Sequence, residues 1–230
     1  RKEALEEEPF LLFVVSDSEG RAVRQLRQPV EAGVQRVVWD FRTSPVVPIS
    51  LEDEGDSVPW ETPDVGYMAA PGEYRVAMYR YDRGELTPVG EPRSFACNPL
   101  NIATLPAPDR EALDAFNRKV AKLARAISGA DAHRELLAGR LPSLEQAILA
   151  VPAVDAGWLA EMSDLRLRLR DLDERLNGDR LRVLDEGQPR RSLKERTDLI
   201  TAALWTTTSG PTGTFERAYD EAHRGFGEVL

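Results

Sequence analysis

Two hydrophobic periodicities divide the chain near residue 105. Upstream, short apolar runs such as FLLFVV alternate with turn residues such as DSEG, a spacing typical of antiparallel β-strands. Downstream, apolar residues recur at steps of three and four, which is the period of an amphipathic helix. The Pro- and Asn-rich stretch CNPLNIATLPAPD joins the two parts. The pattern therefore predicts an α+β chain, with an all-β domain over 1–104 and a helical bundle over 105–230.

The alternating run GVQRVVWDFR predicts a strand that ends in aromatic and charged residues. Because successive side chains of a strand point to opposite faces, Trp39 would face the core together with Val37 and Phe41. Asp40 and Arg42 would lie on the other face, where they can pair with each other or with a neighbouring strand. Trp39 is therefore interpreted as a core anchor rather than as part of a binding site.

The run APGEYRVAMYRYDRGEL predicts a hairpin. Pro71 and Gly72 are placed in one turn, because proline presets its own φ and glycine accepts a positive one. Tyr74 then begins the inward face of the strand. Residues 82–84, Asp-Arg-Gly, would close the next turn in the same way. Gly20 is predicted to occupy the tight position of the turn that follows FLLFVV.

Regular apolar stripes predict the helices. Asp109 precedes the first stripe as an N-cap, and Gly178 follows the second as a stop. Ser192 and Glu195 form a capping box before the third stripe. The first two stripes consist of Leu113, Phe116, Val120, Leu123 and Ile127, and then of Trp158, Met162, Leu165, Leu169, Leu172 and Leu176. The second stripe suits a long helix packed nearly antiparallel on its neighbours.

A last apolar stripe has no stop signal before Leu230. Its members are Phe215, Tyr219, Ala222 and Phe226. We therefore expect this helix to be truncated and the natural chain to continue. An unfinished apolar stripe also predicts self-association or a missing neighbour.

Composition and charge exclude several classes of function. The net charge is −9, and the first 104 residues carry 18 acidic against 11 basic side chains. Nucleic-acid binding is not expected, because phosphate contacts need a surplus of Lys and Arg on one face. No apolar run approaches the roughly 18 residues that cross a bilayer, so no membrane span is predicted.

Residue types that carry chemistry are scarce. Cys97 is the single cysteine, which excludes an internal disulfide and a cysteine-based zinc site. His133 and His223 both lie in helical patterns and offer few partners for nucleophilic catalysis. The run DLDERLNGD resembles a calcium loop, but the helical stripe passes through it and Arg175 occupies a ligand position. We predict no catalytic residue, no metal site and no cofactor.

The acidic loop LEDEGDS is the region where a ligand site is best placed. A solvated loop is the favoured interpretation, because runs of like charge are usually hydrated. Two alternatives stay open: a glycosidase-like hydrolase that uses the loop carboxylates, and a carbohydrate-binding module that uses exposed aromatic rings. The candidate ligand residues are Glu52, Asp53, Glu54, Asp56, Trp60 and Tyr67.

Several stretches together resemble a known family. SDSEGRAVRQL, AGVQRVVWDFR and APGEYRVAMY precede a helical tail that contains FNRKVAKLARAISGA and SLKERTDLITAALWTTTSGPTGT. This combination resembles the C-terminal region of bacterial sortilin-like, Asp-box-repeat proteins that are often labelled glycosyl hydrolases. In that family an exported β-propeller precedes an Ig-like sandwich and a helical segment. The resemblance implies an Ig-like antiparallel β-sandwich over 1–104, an antiparallel helical bundle over 105–230, and a secreted or cell-envelope location.

The propeller of that family is absent from this chain, so no catalytic residue carries over. The resemblance implies structural roles for Gly33, Trp39, Asp40, Arg42, Pro71, Gly72, Tyr74 and Trp205. The expected function is that of a non-catalytic accessory module. Its partners would be a neighbouring β-propeller, a second copy bound through the helices, or a protein or glycan ligand.

Overall fold

A computed structural model of the chain describes residues 8–47, 66–152, 155–179 and 191–229. These residues form an antiparallel sheet of five strands and four α-helices, so the predicted combination of antiparallel sheet and helices is confirmed. The chain divides into two compact units, which we call the sheet unit and the helical unit. The sheet unit comprises Arg1–Pro45, Val65–Asp114 and Thr208–Gly210, and the helical unit comprises Val46–Asp64, Ala115–Thr207 and Pro211–Leu230.

The described strands of the sheet are β1 (Phe10–Ser16), β2 (Ala22–Pro29), β3 (Gly72–Asp82), β4 (Glu85–Pro88) and β5 (Arg93–Cys97). The long strand β3 lies at the centre. It pairs with β1 along one edge, and along the other edge with β5 at its start and with β4 at its end. β2 pairs with the free edge of β1, and every pair is antiparallel.

Two tight turns use the predicted residues. Between β3 and β4, Arg83 has φ 52° and Gly84 has φ 83°, the pair of positive angles that matches the twist of a two-residue hairpin. Between β1 and β2, Asp17 Oδ1 accepts hydrogen bonds from the backbone N–H groups of Glu19 and Arg21, each at 3.0 Å. Gly20, with φ 79°, completes that turn.

The strand predicted for GVQRVVWDFR is wrong. Residues 33–40 have no strand partner, and Arg42 alone forms an isolated bridge, with Met68. The side chains of this segment nevertheless alternate between half-buried and exposed, as they would in an extended backbone. Trp39, for example, is half-buried, whereas its neighbours Val38 and Asp40 are exposed. Phe41 adopts φ 59°, which ends the alternation and leaves its ring 45% exposed rather than in the core.

The turn predicted at Pro71 and Gly72 is also corrected. Pro71 lies at a bend, but Gly72 is already the first residue of β3 and has no positive φ. Proline suits this position because it cannot donate to a neighbouring strand and therefore marks a strand start. Gly33, by contrast, has φ 99° in an exposed stretch of chain.

The described helices are α1 (Arg110–Leu149), α2 (Ala156–Asn177), α3 (Leu193–Leu204) and α4 (Gly213–Gly227). α1 and α2 form a hairpin. Asp131 of α1 contacts Asn177 at the end of α2, whereas Glu145, nearer the end of α1, contacts Arg166, so the two helices run antiparallel. None of the helices among these residues is long and apolar enough to cross a membrane.

Three of the predicted helix ends are confirmed. Asp109 Oδ1 accepts a hydrogen bond from the N–H of Ala112 at 2.9 Å. Ser192 and Glu195 form the capping box in both directions, with hydrogen bonds of 2.7 and 3.2 Å. Gly178, with φ 87°, follows α2 as its C-cap. Trp205, the C-cap of α3, is buried.

The stripe residues pack as two clusters in the helical unit. One cluster draws on all four helices and contains Leu123, Ile127, Leu176, Leu193, Ala222 and Phe226. The other lies farther along the α1–α2 hairpin and contains Leu141, Met162 and Leu169. The seam predicted for α2 is buried at Met162, Leu169 and Leu176, but its first member, Trp158, is 45% exposed.

Candidate functional site

Trp39 belongs to an aromatic cluster on one face of the sheet. Its ring centroid lies 5.2 Å from that of Tyr74 on β3 and 6.0 Å from that of Phe95 on β5, in edge-to-face geometry. Phe41 lies 5.0 Å away. The indole N–H donates to the carbonyl oxygen of Arg42 at 2.9 Å, so the polar end of the ring is satisfied by the backbone. The cluster is a packing site.

Asp40 and Arg42 hold the chain beside Trp39 in place. Asp40 Oδ1 accepts the backbone N–H of Arg42 at 3.0 Å, and the Arg42 guanidinium donates to the carbonyl oxygen of Gly66 at 3.2 Å. Residues 41–43 pair with residues 67–69 through two further backbone hydrogen bonds of 2.7 and 2.9 Å. The motif Trp-Asp-x-Arg therefore stabilises the local turn at residues 40–42 and the pairing of this segment with residues 66–69.

Gly66 lies where two segments approach most closely. A Cβ atom at this position would lie 2.2 Å from Thr43 Oγ1 and 2.6 Å from the carbonyl oxygens of Thr43 and Ser44. Contacts this short are excluded, so only glycine fits. This requirement cannot be read from the local sequence around Gly66, because it depends on Thr43, 23 residues earlier in the chain.

The predicted ligand loop falls mostly outside the described residues. This applies to Glu52, Asp53, Glu54, Asp56 and Trp60. Tyr67 is described, and its side chain is buried with 7% exposure. Stacking on a sugar needs an accessible ring face, so Tyr67 does not provide one.

A buried polar network joins three helices. Arg134 of α1 donates to Asp131 Oδ1 from Nε at 2.9 Å and contacts Asp173 Oδ1 of α2 at 3.2 Å. Asn177 donates to Asp131 and to Asp173, each at 2.8 Å. Lys194 of α3 lies 3.7 Å from Asp131 Oδ2. We call these five residues the Asp131 network.

The electrostatics of this network favour an ionised Asp131. Burial alone would raise the pKa of its carboxyl group, but the hydrogen bonds from Asn177 and Arg134, with the charges of Arg134 and Lys194, hold that pKa below its usual value. A catalytic general acid needs the opposite shift. Asp173 and Asn177, two of the four oxygen-bearing residues that make DLDERLNGD resemble a calcium loop, lie in α2 as part of this network.

The Asp131 network was missed at the sequence level, although a signal existed. Steps of four and three lead from Ile127 to Asp131, Arg134, Ala138 and Leu141, so the two charged residues occupy positions of the buried stripe. Charged residues on a buried face are rarely left without a partner. That rule predicts an ion pair at this position, but not the helices that supply the other members.

Two grooves lie on the helical unit. The first, at the tip of the α1–α2 hairpin, is lined by Leu144, Ile148, Trp158, Met162 and Leu165, with Glu161, Asp164 and Arg168 at its rim. The second is lined by arginines that alternate with carboxylates. There Arg196 pairs with Glu221, and Arg175 pairs with Asp171 at 3.2 Å. Exposed ion pairs of this kind contribute little free energy, and they account for Arg175 and Arg196, two of the four arginines that line the second groove.

The remaining reactive side chains are not arranged for catalysis. Burial raises the pKa of the Cys97 thiol, which lowers its thiolate fraction and makes it a poor nucleophile. His223 stacks on Tyr219 with ring centroids 5.7 Å apart, and His133 is exposed on α1. Within the described ranges, no group of three or more His, Cys, Asp and Glu side chains is placed to hold a metal ion.

Comparisons of the chain with protein-family models, with curated proteins and with solved structures found no match. The resemblance to sortilin-like proteins therefore depends on the sequence stretches alone. The geometry itself offers an aromatic packing cluster, a buried polar network and an exposed apolar groove. Of these, the groove is the feature that is open to a partner.

Proposed function

We propose that the chain is a non-catalytic accessory module, which supports, orients or dimerises a neighbouring β-propeller of a sortilin-like protein or binds a protein partner. The observation that carries this proposal is the Asp131 network. The charged groups of this network pair with one another, and the carboxyl group of Asp131 stays ionised because its pKa is lowered. A network of this kind suits the joining of helices. An acid or base catalyst needs an accessible group whose pKa is near the working pH.

The finer architecture is part of the same proposal: an Ig-like β-sandwich followed by an antiparallel helical bundle. Two contacts support a second layer on the sheet. Trp39 packs across Tyr74 and Phe95, and residues 41–43 pair with 67–69 outside the five strands. The antiparallel α1–α2 hairpin and the apolar cluster shared by four helices support the bundle.

The first experiment tests the absence of catalysis. The chain is incubated with a panel of glycosides in parallel with the variants Glu54→Gln and Asp56→Asn. We expect no turnover above that of the two variants. Turnover by the unaltered chain that disappears in either variant would overturn the proposal in favour of a hydrolase.

The second experiment tests the partner. The parent gene is sequenced upstream of Arg1, and any β-propeller encoded there is produced separately. Titration calorimetry with this chain should show saturable binding. An upstream region without Asp-box repeats, or a propeller that does not bind, would contradict the sortilin-like assignment.

A further inference from the structure

The exposed apolar residues of the described helices are confined to one region. Leu136, Leu137, Leu144, Leu149, Trp158, Leu159 and Leu167 are each at least 36% exposed, and no other described helical segment exposes a large apolar side chain. Scattered surface leucines need no explanation, but two members of this set, Leu144 and Trp158, line one groove together, and a shared apolar groove indicates an interface. The large apolar side chains of α3 and α4 are, in contrast, buried or half-buried.

Among the described residues, no helix covers the groove at the hairpin tip as α3 and α4 cover the other end of the hairpin. At that other end, Leu193 of α3 and Phe226 of α4 pack on Leu176. At the tip, Trp158 continues the line of Met162 along α2, yet Trp158 is 45% exposed whereas Met162 is 8% exposed. The seam of α2 therefore extends beyond the part that the described helices α3 and α4 cover. A large amphipathic ring left half open in this way is the kind of residue that dominates binding energy in protein interfaces.

The charges on the rim of this groove are self-complementary. Along α2 the rim reads Glu161, Asp164, Arg168, which is acidic toward the start of the helix and basic toward its end. If two copies of α2 lie antiparallel, Glu161 of each copy faces Arg168 of the other. The contact then occurs twice around a two-fold axis, as an isologous dimer requires. Parallel pairing would set Glu161 against Glu161.

We propose that the groove at the tip of the α1–α2 hairpin binds the same groove of a second copy of this chain. The reciprocal Glu161–Arg168 contacts set the antiparallel direction and place the two-fold axis beside Leu165 of α2, and Leu144 and Trp158 extend the apolar contact along the groove. The two hairpins then form a four-helix arrangement, in which each tip supplies the layer that the other lacks. This inference rests on the proposed role as an interaction module and names one partner for it.

Sedimentation equilibrium of the full chain, over a wide range of concentration, measures the association. We expect a monomer–dimer equilibrium that Trp158→Ala weakens by at least about tenfold. The matched control is Leu167→Ala, which truncates a residue of α2 that is 62% exposed and does not line the groove, and which should leave the equilibrium unchanged. Both residues are exposed, so neither variant should alter the far-ultraviolet circular dichroism spectrum.

A charge exchange tests the direction of pairing. Glu161→Arg and Arg168→Glu should each weaken dimerisation by opposing like charges, and the double variant E161R/R168E should restore it. Arg170→Glu, an equal change of charge on α2 outside the groove, is the control for general electrostatic effects. Because Arg168 also pairs with Asp164 at 2.9 Å, thermal unfolding of each variant identifies a loss of helix stability.

Several results would overturn the inference. These are a monomer at every concentration, a dimer indifferent to Trp158→Ala, or a double variant that dimerises no better than the single ones. A heterologous protein that binds the groove of a monomeric chain would overturn it as well. Glycoside turnover and propeller binding are measured in separate experiments, and none of these results changes their outcome. The proposed function and the dimer interface can therefore fail independently.

Discussion

Tyr74 should make the stability of the sheet unit fall in alkaline solution. Its phenol is 6% exposed and donates a hydrogen bond of 2.6 Å to the carbonyl oxygen of Ala70. Burial, with smaller contributions from nearby negative charges such as Asp114, raises the pKa of Tyr74 to about 12 from a reference value of 10.0. An ionised phenolate would lose the donor and face the Ala70 carbonyl in a buried site.

The sign and the size of the effect follow from linkage. The unfolded chain releases this proton near pH 10, whereas the folded chain keeps it to about pH 12, so the stability that Tyr74 contributes is present below pH 10 and lost as the pH rises through 12. A difference of two pKa units corresponds to about 3 kcal/mol. Tyr74→Phe removes this dependence, at the cost of one hydrogen bond, about 1 kcal/mol.

The two stability curves should therefore cross. Urea unfolding followed by near-ultraviolet circular dichroism should show the Tyr74→Phe variant as the less stable protein at pH 8. It should become the more stable one above about pH 11, where the linkage loss exceeds the hydrogen-bond cost. Tyr79→Phe, which removes a phenol from the opposite face of β3, serves as the control and should not produce a crossing. Parallel curves for the unaltered protein and Tyr74→Phe would refute the argument.

Three further perturbations test the other arrangements by urea unfolding. Gly66→Ala should destabilise the sheet unit by about 3 kcal/mol through its contact with Thr43, while Gly72→Ala, whose Cβ meets no atom within 4 Å, should be nearly silent. Trp39→Ala should cost about 2 to 4 kcal/mol, less than for a fully buried ring, and an unchanged midpoint would exclude the packing role. Asp131→Asn should cost about 2 kcal/mol at pH 7, because Arg134 keeps its contact with a second carboxylate. The lowered pKa of Asp131 means that its contribution is present above about pH 4 and lost as the pH falls further, so this variant should flatten the acid limb of the stability curve.

Local sequence patterns allowed the helices and their ends to be predicted. The predictions failed where a structure depends on residues that are distant in the sequence. The Ser192 capping box and the Arg83–Gly84 hairpin need only residues within a few positions of one another. The alternation around Trp39 identifies an extended backbone, but it does not tell whether another strand lies beside it. Asp131 and Asn177 are 46 residues apart, so their contact could not be anticipated.

The Asp131 network also has a consequence for the groove at the hairpin tip, because it fixes how α1 and α2 are aligned. Sliding α2 by one turn, about 5.4 Å, would separate Asp131 from Asn177 and leave a buried carboxylate short of its donors. Apolar leucine seams alone tolerate such slips, and a buried polar contact that selects one register is the best-attested use of such groups. With that register fixed, Trp158 lies beside Leu144 and Ile148 at the tip. Asp131→Leu, which removes the acceptor of the Asn177 hydrogen bond, should therefore weaken dimerisation without altering any residue of the groove, whereas a purely local interface would not respond.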